Sequence, residues 1–466
     1  MHYGIGADRY CTMILSACIL IALTILIFKL VRNYRLWRMF NFRKDLKKVR
    51  KERKKMYPEQ NGTLAGLSGR KPVYVPDNAK HIFVCGTTGS GKTVALSNFI
   101  QNAIENDFPA LIIDGKGDTG NGSILEIIQR LNGQKQKKVY VINLSEPERS
   151  DKYNPFKGAS STMAKDMLIN MSDWSEEHYK LNAEFYLQRI LQMFELANAP
   201  LSFQKIIKCI PPDNFTEISN RLLTKDLISK EAHLENVEIA KTSGRTVQNS
   251  TARFSTISDS EIGRHIFSED GIDIASALQE NAIILFVLNP LVYPELSPAF
   301  GRLVLIDAKK AVGELYKRKI PKSFFILDEI NSYATTGLTD LVNKSRSAGV
   351  TCVLSTQSLS DLDFACGEAY KEQIIENCNN YLVMRQNSGV NAEHWANILG
   401  TRSSIEVTYQ LQQKGLDTSE TGFGSAKRVR EFLYHPDDIK TLKTGEGIFL
   451  SRDTGYQSKI KVNKPF

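Results

Sequence analysis

Paired cysteines are missing from this sequence. No C-x-x-C motif and no Cys/His cluster occurs, and Cys11, Cys18, Cys85, Cys209, Cys352, Cys366 and Cys378 are scattered. That pattern suggests neither a zinc site nor a disulfide framework. Scattered free thiols fit a reducing cytosol. Internal repeats and low-complexity tracts are also lacking. Long apolar runs are scarce: the one such run, Cys11 to Phe28, has 18 uncharged residues. Excess charge is missing from most of the chain as well. Lys29 to Lys55 holds 13 of the 60 basic and 2 of the 51 acidic residues, so the remainder has 47 basic and 49 acidic. The basic pI of about 9.0 therefore belongs to one segment. Any nucleic-acid surface on the body must be a local groove and not a bulk field.

What is present starts with G-T-T-G-S-G-K-T: Gly86, Thr87, Thr88, Gly89, Ser90, Gly91, Lys92 and Thr93. This is the spacing of a P-loop. Its glycines let successive backbone N–H groups point inward around phosphate oxygens. Lys92 then reaches the β and γ phosphates, and the Thr93 hydroxyl holds Mg²⁺. The flanks suit the motif. His81 to Cys85 reads as a buried strand. Leu96, Phe99, Ile100, Ala103 and Ile104 fall on one helical face. The helix N-terminus adds its positive end to the anion site. A chance glycine turn would lack this strand–loop–helix setting.

The apolar run is expected to be a membrane anchor over residues 11–31, with residues 1–10 outside the cell. Most of the positive charge follows the run, which argues against a cleaved signal peptide. Residues 32–70 form a basic juxtamembrane segment and linker, with Tyr34 and Trp37 as interfacial anchors. The basic run is expected to hold an anionic inner leaflet. Residues 71–159 then alternate strand and helix, as in a parallel sheet. From 160 to 258 the pattern turns helical, with one stripe at Ala183, Tyr186, Leu187, Ile190, Leu191 and Phe194. An inserted all-α domain is expected there, with Ser243 to Thr256 as an exposed loop. Strands return over 259–466. The expected fold is α/β: a P-loop nucleotide-binding domain, split by the all-α insertion.

Four apolar residues deliver Asp328 and Glu329 at the end of a strand. Asp328 suits Mg²⁺ through water, and Glu329 suits a general base. Gln357, ending the strand Val350 to Gln357, can sense the γ-phosphate or orient water; a solvent-facing amide is the alternative. An arginine from a neighbouring subunit commonly completes such sites. Arg346 is the first candidate and Arg385 the second.

The ordered set IIDGKGD (Ile112 to Asp118), YNPF (Tyr153 to Phe156), LDE (Leu327 to Glu329) and STQS (Ser355 to Ser358) resembles the type IV coupling proteins, the TraG/TraD family of conjugative DNA-transfer ATPases. The stretch from Arg430 to Leu450 looks like the end of that family's catalytic domain. The family's D-P-K-G-E has Gly115 for proline and Asp118 for glutamate here. The resemblance implies ATP and Mg²⁺ as cofactors, with Asp114 and Asp328 at the nucleotide. It also implies a RecA-like ATPase domain with the all-α domain inserted, in a membrane-attached hexamer with its bulk in the bacterial cytoplasm; the one apolar run makes this chain single-pass in the cell membrane. Its implied partners are DNA, single-stranded favoured, a relaxase or relaxosome, and a type IV secretion channel. One departure is the single membrane helix where many members have two. An FtsK/HerA-like pump for double-stranded DNA shares the same motifs, but a winged-helix reader would need more sequence after the motor. An ATP-switched docking receptor for protein cargo is the third reading. An ABC transporter is disfavoured, since no L-S-G-G-Q occurs between the P-loop and Asp328 and one membrane helix cannot form a pore.

Overall fold

The computed structural model describes residues 5–39, 62–76, 80–171, 174, 176–317, 322–414 and 417–465. It comprises two units, Met1–Tyr57 and Pro58–Phe466. The first contains the helix Ile5–Met39. Its stretch Met13–Asn33 has a mean hydropathy of 2.7 and is long and apolar enough to cross a membrane. At 1.5 Å per residue it spans about 30 Å, the thickness of a bilayer's hydrocarbon core. The basic neck over 40–61, and the side chains of Tyr34 and Trp37, lie outside the described residues.

The second unit is built on an eleven-stranded sheet. In chain order its strands are β1 (Thr63–Ser68), β2 (Lys71–Val75), β3 (Ile82–Cys85), β4 (Ala110–Asp114), β5 (Val139–Asn143), β6 (Ile283–Val287), β7 (Ser323–Asp328), β8 (Val350–Thr356) and β9 (Asn380–Met384). A separate ribbon, β10 (Thr401–Lys414) and β11 (Asp417–Phe432), follows, and then β12 (Glu446–Ser451) and β13 (Gln457–Val462) complete the sheet. The order across it is β2-β1-β13-β12-β9-β3-β8-β7-β4-β6-β5. From β9 to β5 all neighbours are parallel. From β9 to β2 all are antiparallel. The central strands are apolar runs because helices cover both faces. Phe83, Cys85, Leu111 and Ile113 enter one core. Ile82, Val84, Ala110 and Ile112 enter the other, beneath the helix Lys92–Glu105.

Between β5 and β6 the described residues form helices with no further strand. Several begin on side-chain caps: Ser160, Ser202, Ser229, Ser260 and Asp273 each accept a backbone N–H of the first turn. Each cap contributes about 1 kcal/mol. In the helix Glu177–Leu196 the expected stripe is buried, with Phe194 at its margin.

Three expectations are corrected. Strand β1 lies inside the stretch read as linker. Its buried residues are small, Thr63 and Ala65, while Leu67 faces out, so the usual alternation is inverted. Ser243 to Thr256 is helical, spanning the end of Lys230–Ser250 and the start of Ala252–Asp259. Its polar look hides buried Val247 and Phe254. Gly244 is there for close packing, since a Cβ would stand 2.7 Å from Pro212 Cγ. The β10–β11 ribbon is the third, a strand pair outside the sheet within the 259–466 stretch read as part of the nucleotide-binding domain.

A buried ionic hub ties the segment leading into the insertion to the sheet domain. Tyr153 of the YNPF stretch donates to Asp307 Oδ2 at 2.9 Å. Lys310 lies 2.9 Å from Asp307 Oδ1 and donates to the carbonyls of Pro155 (2.8 Å) and Lys157 (2.9 Å). Removing one partner of such a pair strands a buried charge, at a cost of about 3–5 kcal/mol. Asp307→Ala should therefore lower the urea midpoint sharply, and adding Lys310→Met should recover a good part of the loss. Equal midpoints for the single and double variants would refute the assignment.

Candidate nucleotide site

The P-loop leaves the end of β3 and is wired to both neighbouring strands. Gly86 donates its N–H to Thr356 O (3.3 Å) at the end of β8, and Thr87 donates to Arg385 O (2.9 Å) just beyond β9. Glycine is required where the loop turns. A Cβ on Gly86 would stand 2.6 Å from Ser90 Oγ and 2.7 Å from Met384 Cβ, and Gly89 and Gly91 have φ of 74° and 105°. Gly91 caps the helix Lys92–Glu105 without a side-chain bond. Its first-turn N–H groups thus stay available for an anion. The hydroxyl oxygens of Thr87 and Ser90 are buried without a partner. Thr93 is half-buried in that first turn.

Lys92 lies across the loop. Its Nζ is 2.7 Å from Gly86 O and 3.3 Å from Glu329 Oε1. Gln357 donates from Nε2 to the same Glu329 oxygen at 3.1 Å, and Thr88 donates from Oγ1 to Gln357 Oε1 at 3.1 Å. A continuous contact chain therefore runs Thr88–Gln357–Glu329–Lys92–Gly86. Glu329 sits at φ 47°, ψ 51°. That left-handed backbone costs a non-glycine residue about 1–3 kcal/mol and turns its side chain toward the loop.

The register of β4 and β7 pairs Asp114 with Asp328. Both are buried. Burial, and then the charge of Asp328, push the Asp114 carboxyl up to about 7, against N–H donation from Gly117 and Lys116. Burial likewise raises Asp328 and Glu329, with Lys92 opposing in each case. Asp328 Oδ1 has no hydrogen-bond partner. A buried carboxylate oxygen left open beside a phosphate loop suits Mg²⁺ held through water. Among the described residues no cluster of three His, Cys, Asp or Glu side chains is positioned to hold a metal alone. The donor set thus fits a cation brought in with a polyphosphate.

The IIDGKGD stretch follows β4 closely against β7. A Cβ at Gly115 would stand 2.7 Å from Asp328 O, and one at Gly117 1.7 Å from Leu288 O. This accounts for glycine at 115, where the family has proline. Sequence reasoning missed the loop before β12. Gly445 donates its N–H to Ser90 O (2.8 Å), and Thr444 donates to Gly89 O (3.0 Å). The only local signal there is T-G-E-G, and the contact spans some 355 positions.

Arg346 is not brought to this loop within one chain. It is exposed in the short turn Arg346–Ala348 that precedes β8, and its charge bears on His81, which precedes β3. Gln357 follows the far end of β8. At about 3.3 Å per residue the two stand about 20 Å or more apart along that strand.

A carboxyl raised in the folded state is destabilising once ionised. The penalty is absent below the unfolded value of 3.8, grows as pH rises, and is complete above about 7. Asp114→Asn should therefore raise the melting temperature of the nucleotide-free protein more at pH 8 than at pH 5. An equal gain at both values would count against it.

Several known proteins are similar to this chain in fold or in sequence. The "Bacterial conjugative coupling protein TrwBdeltaN70", in its unbound monoclinic form, matches with a TM-score of 0.60 at 15% identity, over 88% of this chain and 90% of that one. The "Plasmid coupling protein TrwB in complex with ADP and Mg2+" matches with a TM-score of 0.61 at 16% identity, over 88% and 91%. VirB4 of Thermoanaerobacter pseudethanolicus matches with a TM-score of 0.51 at 12% identity, over 87% and 97%. At these identities the likeness establishes the fold, a RecA-like α/β domain with helical additions. An uncharacterized protein of Mycoplasma pneumoniae is 26% identical over 120 residues, 26% of this chain and 77% of its own length. The profile of the type IV secretion-system coupling protein DNA-binding domain matches residues 67–462. With that match over most of its length, the chain belongs to the type IV secretion-system coupling proteins.

Proposed function

We propose that this chain is a membrane-anchored ATPase that assembles as a homo-hexamer and drives DNA, with its bound relaxase, into a type IV secretion channel. The observation that carries the reading is the contact chain through Lys92, Glu329 and Gln357 beneath an open P-loop. These residues need only be separated by an incoming triphosphate to take up their roles. Lys92 exchanges Gly86 O and Glu329 for phosphate oxygens. Glu329 then loses the cation that opposes the rise of its buried carboxyl, which makes it a stronger base. Gln357, already bonded to Glu329 and Thr88, holds a water or the γ-phosphate between them. Thr93 and Asp328 hold Mg²⁺, which neutralises charge on the phosphates. The P-loop amides, Thr87 and Ser90 bind the phosphates, and Asp114 sits behind Asp328. Arg346, at the opposite end of the strands, can serve only the site of a neighbouring subunit.

The helix through Met13–Asn33 anchors the motor as a single pass, with the basic segment after it against an anionic inner leaflet and the bulk in the bacterial cytoplasm. Single-stranded DNA is the favoured polymer, bound through phosphates in a local groove because the body as a whole is nearly neutral.

Lys92→Ala should abolish phosphate release. Glu329→Gln should keep nucleotide binding and lower turnover by about 10²–10⁴-fold, the usual worth of a general base. Release by the wild-type chain should rise on adding single-stranded DNA, and the gain should fall steeply with salt. A larger response to duplex DNA would favour a double-strand pump, and no response to either form would favour the docking receptor. Undiminished turnover in Glu329→Gln would remove Glu329 from the mechanism.

A further inference from the structure

The two arginines considered for the site sit at opposite ends of the sheet, and the difference assigns them different work. In a parallel sheet the ligand lies outside the carboxyl ends of the strands. Arg346 precedes β8 and is at the wrong end. Arg385 directly follows β9, at the end where the P-loop leaves β3, and β3 and β9 are hydrogen-bonded neighbours. Its backbone is part of the loop's support, since its carbonyl accepts the Thr87 N–H at 2.9 Å.

The charge balance at this end singles out Arg385 further. Lys92 is paired with Glu329 and Lys116 with Asp118. Arg385 has no carboxylate partner among the described residues, and its Nε is buried without any hydrogen bond. A half-buried guanidinium normally recovers its lost hydration from an anion. Here no protein anion supplies it, while the adjoining loop is built to receive one.

We propose that Arg385 is a nucleotide-binding residue acting within its own subunit, its guanidinium supplying hydrogen bonds and charge to the phosphates of the nucleotide held by the P-loop. The proposal rests on the ATPase reading above and adds to it a cation that the P-loop, Asp328–Glu329 and Gln357 do not include. It also separates two kinds of arginine defect. A cation acting in its own subunit contributes to ground-state affinity, whether or not a neighbour is present. A cation supplied by a neighbour contributes to turnover and needs the assembled ring.

The test is binding of MgADP and of a non-hydrolysable ATP analogue to the full chain in detergent, below the concentration at which sedimentation shows self-association, alongside steady-state hydrolysis in the assembled state. Arg385→Gln should weaken binding of both nucleotides by about ten- to a hundredfold, the worth of a charge-assisted contact. It should raise KM with little loss of kcat. Arg385→Lys should recover much of the affinity, and unchanged melting temperatures would show that both variants fold. Arg346→Ala, in the same assay, should keep the affinity and lose kcat. Wild-type affinity in folded Arg385→Gln would overturn the proposal, as would a loss of kcat at unchanged affinity. If the wild-type chain itself binds neither nucleotide, the ATPase reading fails first and the role of Arg385 falls with it.

Discussion

Two carboxylates buried side by side at the ends of adjacent parallel strands set the terms for this molecule. The β4–β7 register leaves Asp114 and Asp328 no means of separating. Neither position is solvated, so each raises the cost of ionising the other or is already strained by burial. Such a pair destabilises an empty protein and becomes favourable only when a cation arrives. The P-loop one strand beyond β8 is where a cation-bearing polyphosphate would be held. The central strands, the tight glycine turns at 115 and 117 and the left-handed Glu329 all keep these groups at fixed distances. The binding energy of the ligand is then available to relieve electrostatic strain that folding has imposed.

The same geometry explains the contacts these residues make with one another. Lys92 cannot remain buried without an acceptor, and it uses Gly86 O and Glu329. Glu329 in turn keeps Gln357 in place. On the proposed reading a nucleotide would enter by exchange, replacing contacts of similar chemistry, with the groups assigned to the γ-phosphate already held near one another. Preorganisation of this kind is the main resource for phosphoryl transfer, where positioning and charge neutralisation outweigh covalent chemistry.

The readable parts of the sequence were those with local causes. Strand β3, the glycine loop and the helix after it form one contiguous unit whose φ values and apolar face are written in adjacent residues. The run FFILDE signals a strand buried on both faces, and its acidic end follows. Asp114 and Gln357 were legible as strand ends. What escaped was set by distant partners. Strand β1 buries Thr63 and Ala65 because Asn102 and the sheet edge meet it there, and Thr63 accepts the Asn102 side-chain amide at 2.7 Å. The helix through Gly244 looks like a loop until Pro212 is placed against it. The support of Ser90 by Gly445 joins parts of the chain with no shared pattern. Arg346 and Arg385 look alike in sequence, each lying near a strand; only the strand direction separates them.

The all-α insertion gains its meaning from how it is attached. From Asp328 a contiguous set of contacts leads to it. Tyr333 donates to Asp328 O at 3.0 Å. The Tyr333 ring packs where Gly301 lacks a side chain, since a Cβ there would stand 2.7 Å from Tyr333 Cβ. Gly301 belongs to the helix Leu296–Leu315, which also presents Asp307 and Lys310 to Tyr153, Pro155 and Lys157. Buried ionic groups are a costly way to hold two parts together, and apolar residues of similar volume would often be as stable. Their advantage is geometric. A charged hub with directional hydrogen bonds permits fewer arrangements than an apolar interface, which tolerates sliding. A motor that moves a polymer must convert sub-ångström changes at a phosphate into displacement of the part that meets its cargo. In this chain Tyr333, Gly301 and the Asp307–Lys310 hub join the end of β7 to the segment leading into the insertion through buried, directional contacts, and on the proposed reading this is where such a conversion would start.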